Sequence, residues 1–144
     1  MIYRFRPLRR IASLSILVLL VSPVASAQNR NPKLPPSKIY TRVEQMPQLP
    51  GGGGPEAIVQ AIQQHLIYPS RALYNQIEGR VYVNFVVAPT GRVEKIKILK
   101  SLITDCDSAV VKAVQQLPRF TPGRLKGRAV RVQFTVPVTF RIAD

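Results

Sequence analysis

The feature that most constrains the fold is the stretch 130–142, VRVQFTVPVTFRI. Seven apolar side chains alternate there without a miss: Val130, Val132, Phe134, Val136, Val138, Phe140 and Ile142. Arg131, Gln133, Thr135, Pro137, Thr139 and Arg141 stand between them. A period of two puts the apolar set on one face of a β-strand and the polar set on the other. Such a strand belongs to a sheet with one covered and one wet face. Burying the apolar set contributes about 10–20 kcal/mol at most, and ordering the same stretch of backbone costs roughly as much. The strand therefore needs a partner strand and a cover, which the rest of the chain must supply. Pro137 adds a second constraint. It has no N–H, so that point lies on an edge or at a bulge. An open edge offers backbone groups to another chain.

With 144 residues the chain has room for one domain and a short extra segment. The net charge is +14, and Arg4, Arg6, Arg9 and Arg10 supply four of those charges where there are no acids. From residue 28 onward the balance is 17 basic residues against 7 acidic, which still attracts polyanions without specificity. A single cysteine excludes an internal disulfide and a cysteine cluster for zinc.

Residues 1–27 have the layout of an export signal. MIYRFRPLRR is a positive n-region, IASLSILVLLV an apolar h-region, and Ala25-Ser26-Ala27 a small-x-small cleavage site. The alternative is an uncleaved membrane anchor. The apolar part, 11–27, is interrupted by Ser13, Ser15, Ser22, Pro23 and Ser26, and is short for a span needing about 20 apolar residues. Cleavage and a location outside the cytoplasm are the expectation. Residues 28–50 form a Pro-rich linker and arm, with Pro32, Pro35 and Pro36. Within it, 28–42 reaches about 50 Å fully extended, and 43–50 suits a short edge strand or an arm. The domain proper is expected over 51–144. Gly51 to Gly54 suit a flexible turn; no Lys-Ser/Thr follows them to make a phosphate loop.

Residues 55–66 are expected to be helical, with Pro55 at the first helical position and Ile58, Ile62 and Leu66 as an apolar stripe. Residues 70–76 suit a second helical piece, Ser70 as its cap, with Ala72, Leu73 and Ile77 turned inward. Residues 79–88 and 93–99 alternate as strands around the turn Pro89-Thr90-Gly91, which makes an antiparallel hairpin. Asp105 and Asp107 open a third helix, where their charges meet its positive end. Val110, Ala113, Val114 and Leu117 are its apolar stripe. Gly127 suits a bend before the long strand. The order predicts an α+β domain: a three-stranded antiparallel sheet with two helices on one face.

Few residues carry chemistry. A Cys106–His65 pair is the sharpest catalytic candidate, but no Asn or Asp at a recognisable spacing completes it. Helix capping accounts for Asp105 and Asp107 better than a metal site does, because no further acidic cluster supports one. No catalytic residue, metal or cofactor is expected. The basic run Arg124, Lys126, Arg128 and Arg131 is not interleaved with aromatics, so nucleic acid is not an expected partner.

From Tyr68 onward the chain resembles the C-terminal domain of the TonB energy-transducer family. The resemblance runs through YPSRALYNQIEGRVYVNFVVAPTGRVEKIKILKS, then D..SAVVKAV.....F.P, a glycine and a final alternating strand. Tyr68, Pro69, Gly79, Gly91, Phe120, Pro122 and Gly123 carry the motif, over about 75 residues. The resemblance implies a periplasmic domain that grips the TonB box, an extended peptide of an outer-membrane TonB-dependent receptor, as a strand added beside its own last strand. Carried over here, the peptide-binding edge is Arg131, Val132, Gln133, Phe134, Thr135 and Val136. An inner-membrane motor complex would be a further partner if the chain stays anchored. The departures are the cleavable-looking signal and a linker too short to join two membranes. The expected function is a non-enzymatic binding module in energy-coupled transport across the outer membrane. The alternative is an assembly protein of the envelope whose edge pairs with the arm 43–50 or with a second copy, as a homodimer.

Overall fold

The protein is described here by a computed structural model, which covers residues 38–143. The expected export signal and residues 28–37 of the linker lie outside the described residues. In chain order the elements are β1 (Ile39–Tyr40), α1 (Pro55–His65), α2 (Ser70–Tyr74), β2 (Gly79–Val87), β3 (Val93–Lys100), α3 (Thr104–Gln115), β4 (Gly123–Leu125) and β5 (Arg128–Phe140). The α+β class holds, and the three long strands form the expected antiparallel set in the order β5-β2-β3.

The sheet itself is larger than three strands and is mixed. β4 pairs antiparallel with the start of β5, and β1 pairs parallel with it. The bend expected at Gly127 is instead a two-residue hairpin loop. Lys126 and Gly127 both take positive φ, 50° and 74°, the geometry that matches the twist of two paired strands. The long strand also ends earlier than its alternation suggests. Its last pair is Phe140 with Gly79, where β2 begins. Beyond that point no strand among the described residues faces it, and the Ile142 N–H donates to the Glu78 carboxylate at 2.6 Å.

The alternating residues of β2 and β5 fill the core from one side of the sheet: Val81, Val83, Phe85 and Val87 meet Val132, Phe134, Val136, Val138 and Phe140. Ile58 and Ile62 of α1, Ala72 of α2, and Val110, Ala113 and Val114 of α3 cover them, all but fully buried. Pro55 is the first residue of α1, as expected, with Glu56 in the first turn. Two local expectations fail. The residue capping α2 is Pro69, not Ser70, and Leu73 is 48% exposed because that helix is a single short turn with only Ala72 aimed at the core. The opposite face of the sheet is not uniformly wet. Val86 is 2% exposed there, and the Arg131–Glu94 ion pair (3.3 Å) spans β2 beside it, from β5 to β3.

The β2–β3 loop ties the sheet to the segment before β4. Gly91 N–H donates to the Ala88 carbonyl, and the Gly91 carbonyl accepts the Phe120 N–H, each at 2.8 Å. Gly91 has φ +83°, and a Cβ built on it would stand 2.0 Å from the Phe120 carbonyl oxygen. Both the dihedral and the space exclude a side chain. Phe120 is thereby seated against Phe85 and Phe134, with ring centroids 6.4 and 6.5 Å away. Gly91→Ala should therefore lose at least about 2 kcal/mol of stability in urea unfolding; an unchanged midpoint would contradict this packing.

Candidate functional site

The expected peptide edge is part of β5, and the ladder decides which of its backbone groups are available. β5 pairs with β2 in an unbroken register from Val132↔Val87 to Phe140↔Gly79. In an antiparallel pair, the N–H and C=O of one residue point together toward the neighbour, and those of the next point away. Two observations set the phase. Pro137, with no N–H to give, stands opposite Tyr82 without disturbing the register. The Thr139 carbonyl accepts a hydrogen bond from Gln63 Nε2 of α1 at 3.0 Å, so it is turned to a neighbour other than β2. Gln133, Thr135, Pro137 and Thr139 therefore aim their backbone groups away from β2, and Val132, Phe134, Val136 and Val138 aim theirs toward it.

The six expected edge residues thus divide by role. Val132, Phe134 and Val136 give their side chains to the core and their backbone groups to β2. Gln133 and Thr135 lie on the polar face, with Thr135 exposed and its Oγ1 accepting from Asn84 Nδ2 at 2.9 Å. Among the described residues, no strand pairs with the outer side of 134–136. Arg131 and Val132 differ: β1 lies along them, with Ile39 opposite Arg131 and Tyr40 opposite Val132. The Arg131 side chain turns across the sheet to Glu94.

The arm that carries β1 was only partly legible. Residues 43–49 pack on the domain as an arm: Gln45 exchanges two backbone hydrogen bonds with Arg124 (3.1 and 2.8 Å), and Gln48 two with Thr121 (3.1 and 2.8 Å). Val43 and Leu49 are buried, and Glu44 Oε2 accepts the Lys126 N–H at 3.2 Å. Gly123 leaves room for this arm, since a Cβ there would stand 2.6 Å from Val132 Cγ2 and 3.0 Å from Pro47 Cδ. Sequence reasoning missed Lys38, Ile39 and Tyr40. Their signal was a β-prone Ile-Tyr pair inside an otherwise polar linker.

The remaining motif residues position this edge. Tyr68 packs edge-on against Phe140, centroids 5.3 Å apart, and donates its hydroxyl to the Ile77 carbonyl at 2.6 Å. Burial pushes its pKa up, with smaller contributions from Cys106 and Glu78. Pro69 caps α2, Phe120 is buried, and Pro122 leads into β4 beside Gly123.

The catalytic candidates point elsewhere. Cys106 is completely buried. Burial pushes its thiol pKa up, and Asp107 and then Asp105 push it further, which is the reverse of what a nucleophilic thiolate needs. Asp107 accepts the Leu102 N–H at 3.3 Å and the Ser101 hydroxyl, so it organises the entry to α3. Among the described residues, no group of His, Cys, Asp and Glu is arranged to hold a metal, and no helix is long and apolar enough to cross a membrane.

Residues 64–142 match the family described as Gram-negative bacterial TonB protein C-terminal. The chain belongs to that family. It is 34% identical over 90 residues to protein TonB of Escherichia coli K12, a match that covers 62% of this chain but 36% of that protein. The solution structure of the Pseudomonas aeruginosa TonB C-terminal domain is 34% identical, with a TM-score of 0.47, covering 55% of this chain and 80% of that one. A Helicobacter pylori TonB C-terminal domain is 27% identical, with a TM-score of 0.44, covering 60% and 78%.

Two outcomes follow from this geometry. Cys106 should react with a thiol reagent at least about 100-fold more slowly in the native protein than in denaturant; fast native labelling would contradict its burial. Leu49→Ala, which empties the anchored part of the arm, should cost about 2–3 kcal/mol in urea unfolding, and a cost near zero would show that the arm is not part of the folded unit.

Proposed function

We propose that this chain is an exported TonB-like domain that binds an extended segment of an outer-membrane TonB-dependent receptor by strand addition, in energy-coupled transport across the outer membrane. The observation that carries the proposal is the outward aim of the Gln133 carbonyl and of the Thr135 N–H and carbonyl, which no described strand engages; the Gln133 N–H is met by the Tyr40 carbonyl of β1. An extended peptide laid there gains ladder hydrogen bonds without any rearrangement of the core. Membership of the TonB family supports the choice of partner. The amino-terminal export pattern supports a periplasmic location. If the first 27 residues are retained as an anchor, an inner-membrane motor complex becomes a second partner. The edge makes and breaks no covalent bond.

Thr135→Pro tests the proposal. The substitution removes an N–H that faces away from β2, so the domain should stay folded, with a loss no greater than about 1–2 kcal/mol. Affinity for synthetic peptides spanning receptor N-terminal segments should fall at least about tenfold, from a lost hydrogen bond and the intruding ring. Phe134→Pro is the control, because its N–H belongs to the β2 ladder and its loss should unfold the domain. Unchanged peptide affinity in a folded Thr135→Pro protein would contradict strand addition here. The same edge would also serve a second copy of the chain. Sedimentation velocity separates the two uses: self-pairing requires a concentration-dependent dimer that Thr135→Pro abolishes.

A further inference from the structure

Part of the proposed peptide edge is already occupied by the chain itself. β1 lies parallel to β5 at Arg131 and Val132, the first two of the six edge residues. Since β5 aims the backbone groups of Arg131 and Gln133 outward, Tyr40, which stands opposite Val132, is the arm residue whose N–H and C=O reach them. Its ring is half-buried against the core, with Lys38 Nζ 5.1 Å from the ring centroid. The ladder then stops. Among the described residues Ile39 and Tyr40 alone form it, and from Thr41 the chain leaves the edge, so the Gln133 carbonyl and the Thr135 backbone stay uncovered by the arm.

The arm is held unequally along its length. Four backbone hydrogen bonds at Gln45 and Gln48, the Glu44–Lys126 bond and the buried Val43 and Leu49 fasten 43–49. The tip at 38–40 has a two-residue ladder and one partly buried ring. The tip is therefore the segment that can open while its anchor stays in place. Tethered three residues from a fixed point, it competes for Arg131 and Val132 at an effective concentration on the order of millimolar.

Resting on the strand-addition reading above, we propose that Lys38–Tyr40 is a displaceable strand that guards the beginning of the peptide edge. A partner short enough to use only the Gln133 carbonyl and the Thr135 backbone binds with the tip in place. A partner that extends over Arg131 and Val132 must exchange with it, strand for strand. The tip then sets a threshold against extended segments that do not match the whole edge, and a fully matching partner overcomes it.

Amide hydrogen exchange on the full chain, without any peptide, tests the opening. The Tyr40 amide should exchange at least about 100-fold faster than those of Gln45 and Gln48; equal rates would mean that tip and anchor open together and would overturn the proposal. Peptide titration tests the exchange. Tyr40→Pro in the full chain should bind peptides from receptor N-terminal segments at least about tenfold more tightly than the unaltered chain, while its Gln45 and Gln48 amides keep their protection. Equal affinity in the two proteins would overturn the guarding role while leaving strand addition intact. Failure of every peptide to bind either protein would overturn strand addition itself, and with it the guarding role.

Discussion

The β2–β5 ladder is the interaction on which the rest depends. It runs through nine residue pairs without a shift, and so it fixes both faces and both edges of β5 at once. The apolar alternation of β5 has to face α1 and α3, because only that side is covered. Given that face and that register, the backbone groups of every second residue must turn away from β2. The same constraint that builds the core thus prepares an edge. Pro137 fits this phase without cost, since the N–H it lacks would have pointed outward.

An edge of this kind has to be managed, because an unpaired strand recruits whatever extended chain is nearby. Here the management is local. β1 covers Arg131 and Val132, Gln63 takes the Thr139 carbonyl, and Pro137 removes one donor. What is left is the Gln133 carbonyl and the Thr135 backbone, flanked by polar side chains. Affinity at such a site comes from main-chain bonds, and discrimination from how far along β5 a partner can extend before it meets the arm.

Much of this was legible in the sequence, for a physical reason. Strict alternation over 130–140, the Pro89-Thr90-Gly91 turn and the stripes Ile58/Ile62 and Val110/Ala113/Val114 each report burial directly, and burial decides the fold. Features that depend on long-range pairing were not legible. Lys126 takes a positive φ that its residue type does not advertise, so β4 and its hairpin went unseen. Ile39 and Tyr40 form a strand only because β5 is there to pair with. Leu73 looked like core from its composition, yet a single-turn helix has only one face to bury, and Ala72 occupies it. Within the proposed site, the resemblance pointed to 131–136, while only the ladder's phase could separate Gln133 and Thr135 from Val132, Phe134 and Val136.

The central claim is that the backbone of Gln133 and Thr135 receives an added strand, and backbone NMR of the isotope-labelled chain during titration with a receptor N-terminal peptide addresses it most directly. The account predicts that the Thr135 amide, initially quick to exchange, becomes protected and shows cross-strand contacts to the peptide backbone, while Phe134 and Val136 were protected from the start. Peptide binding that leaves Thr135 unprotected, with the shifts gathered elsewhere on the domain, would contradict it.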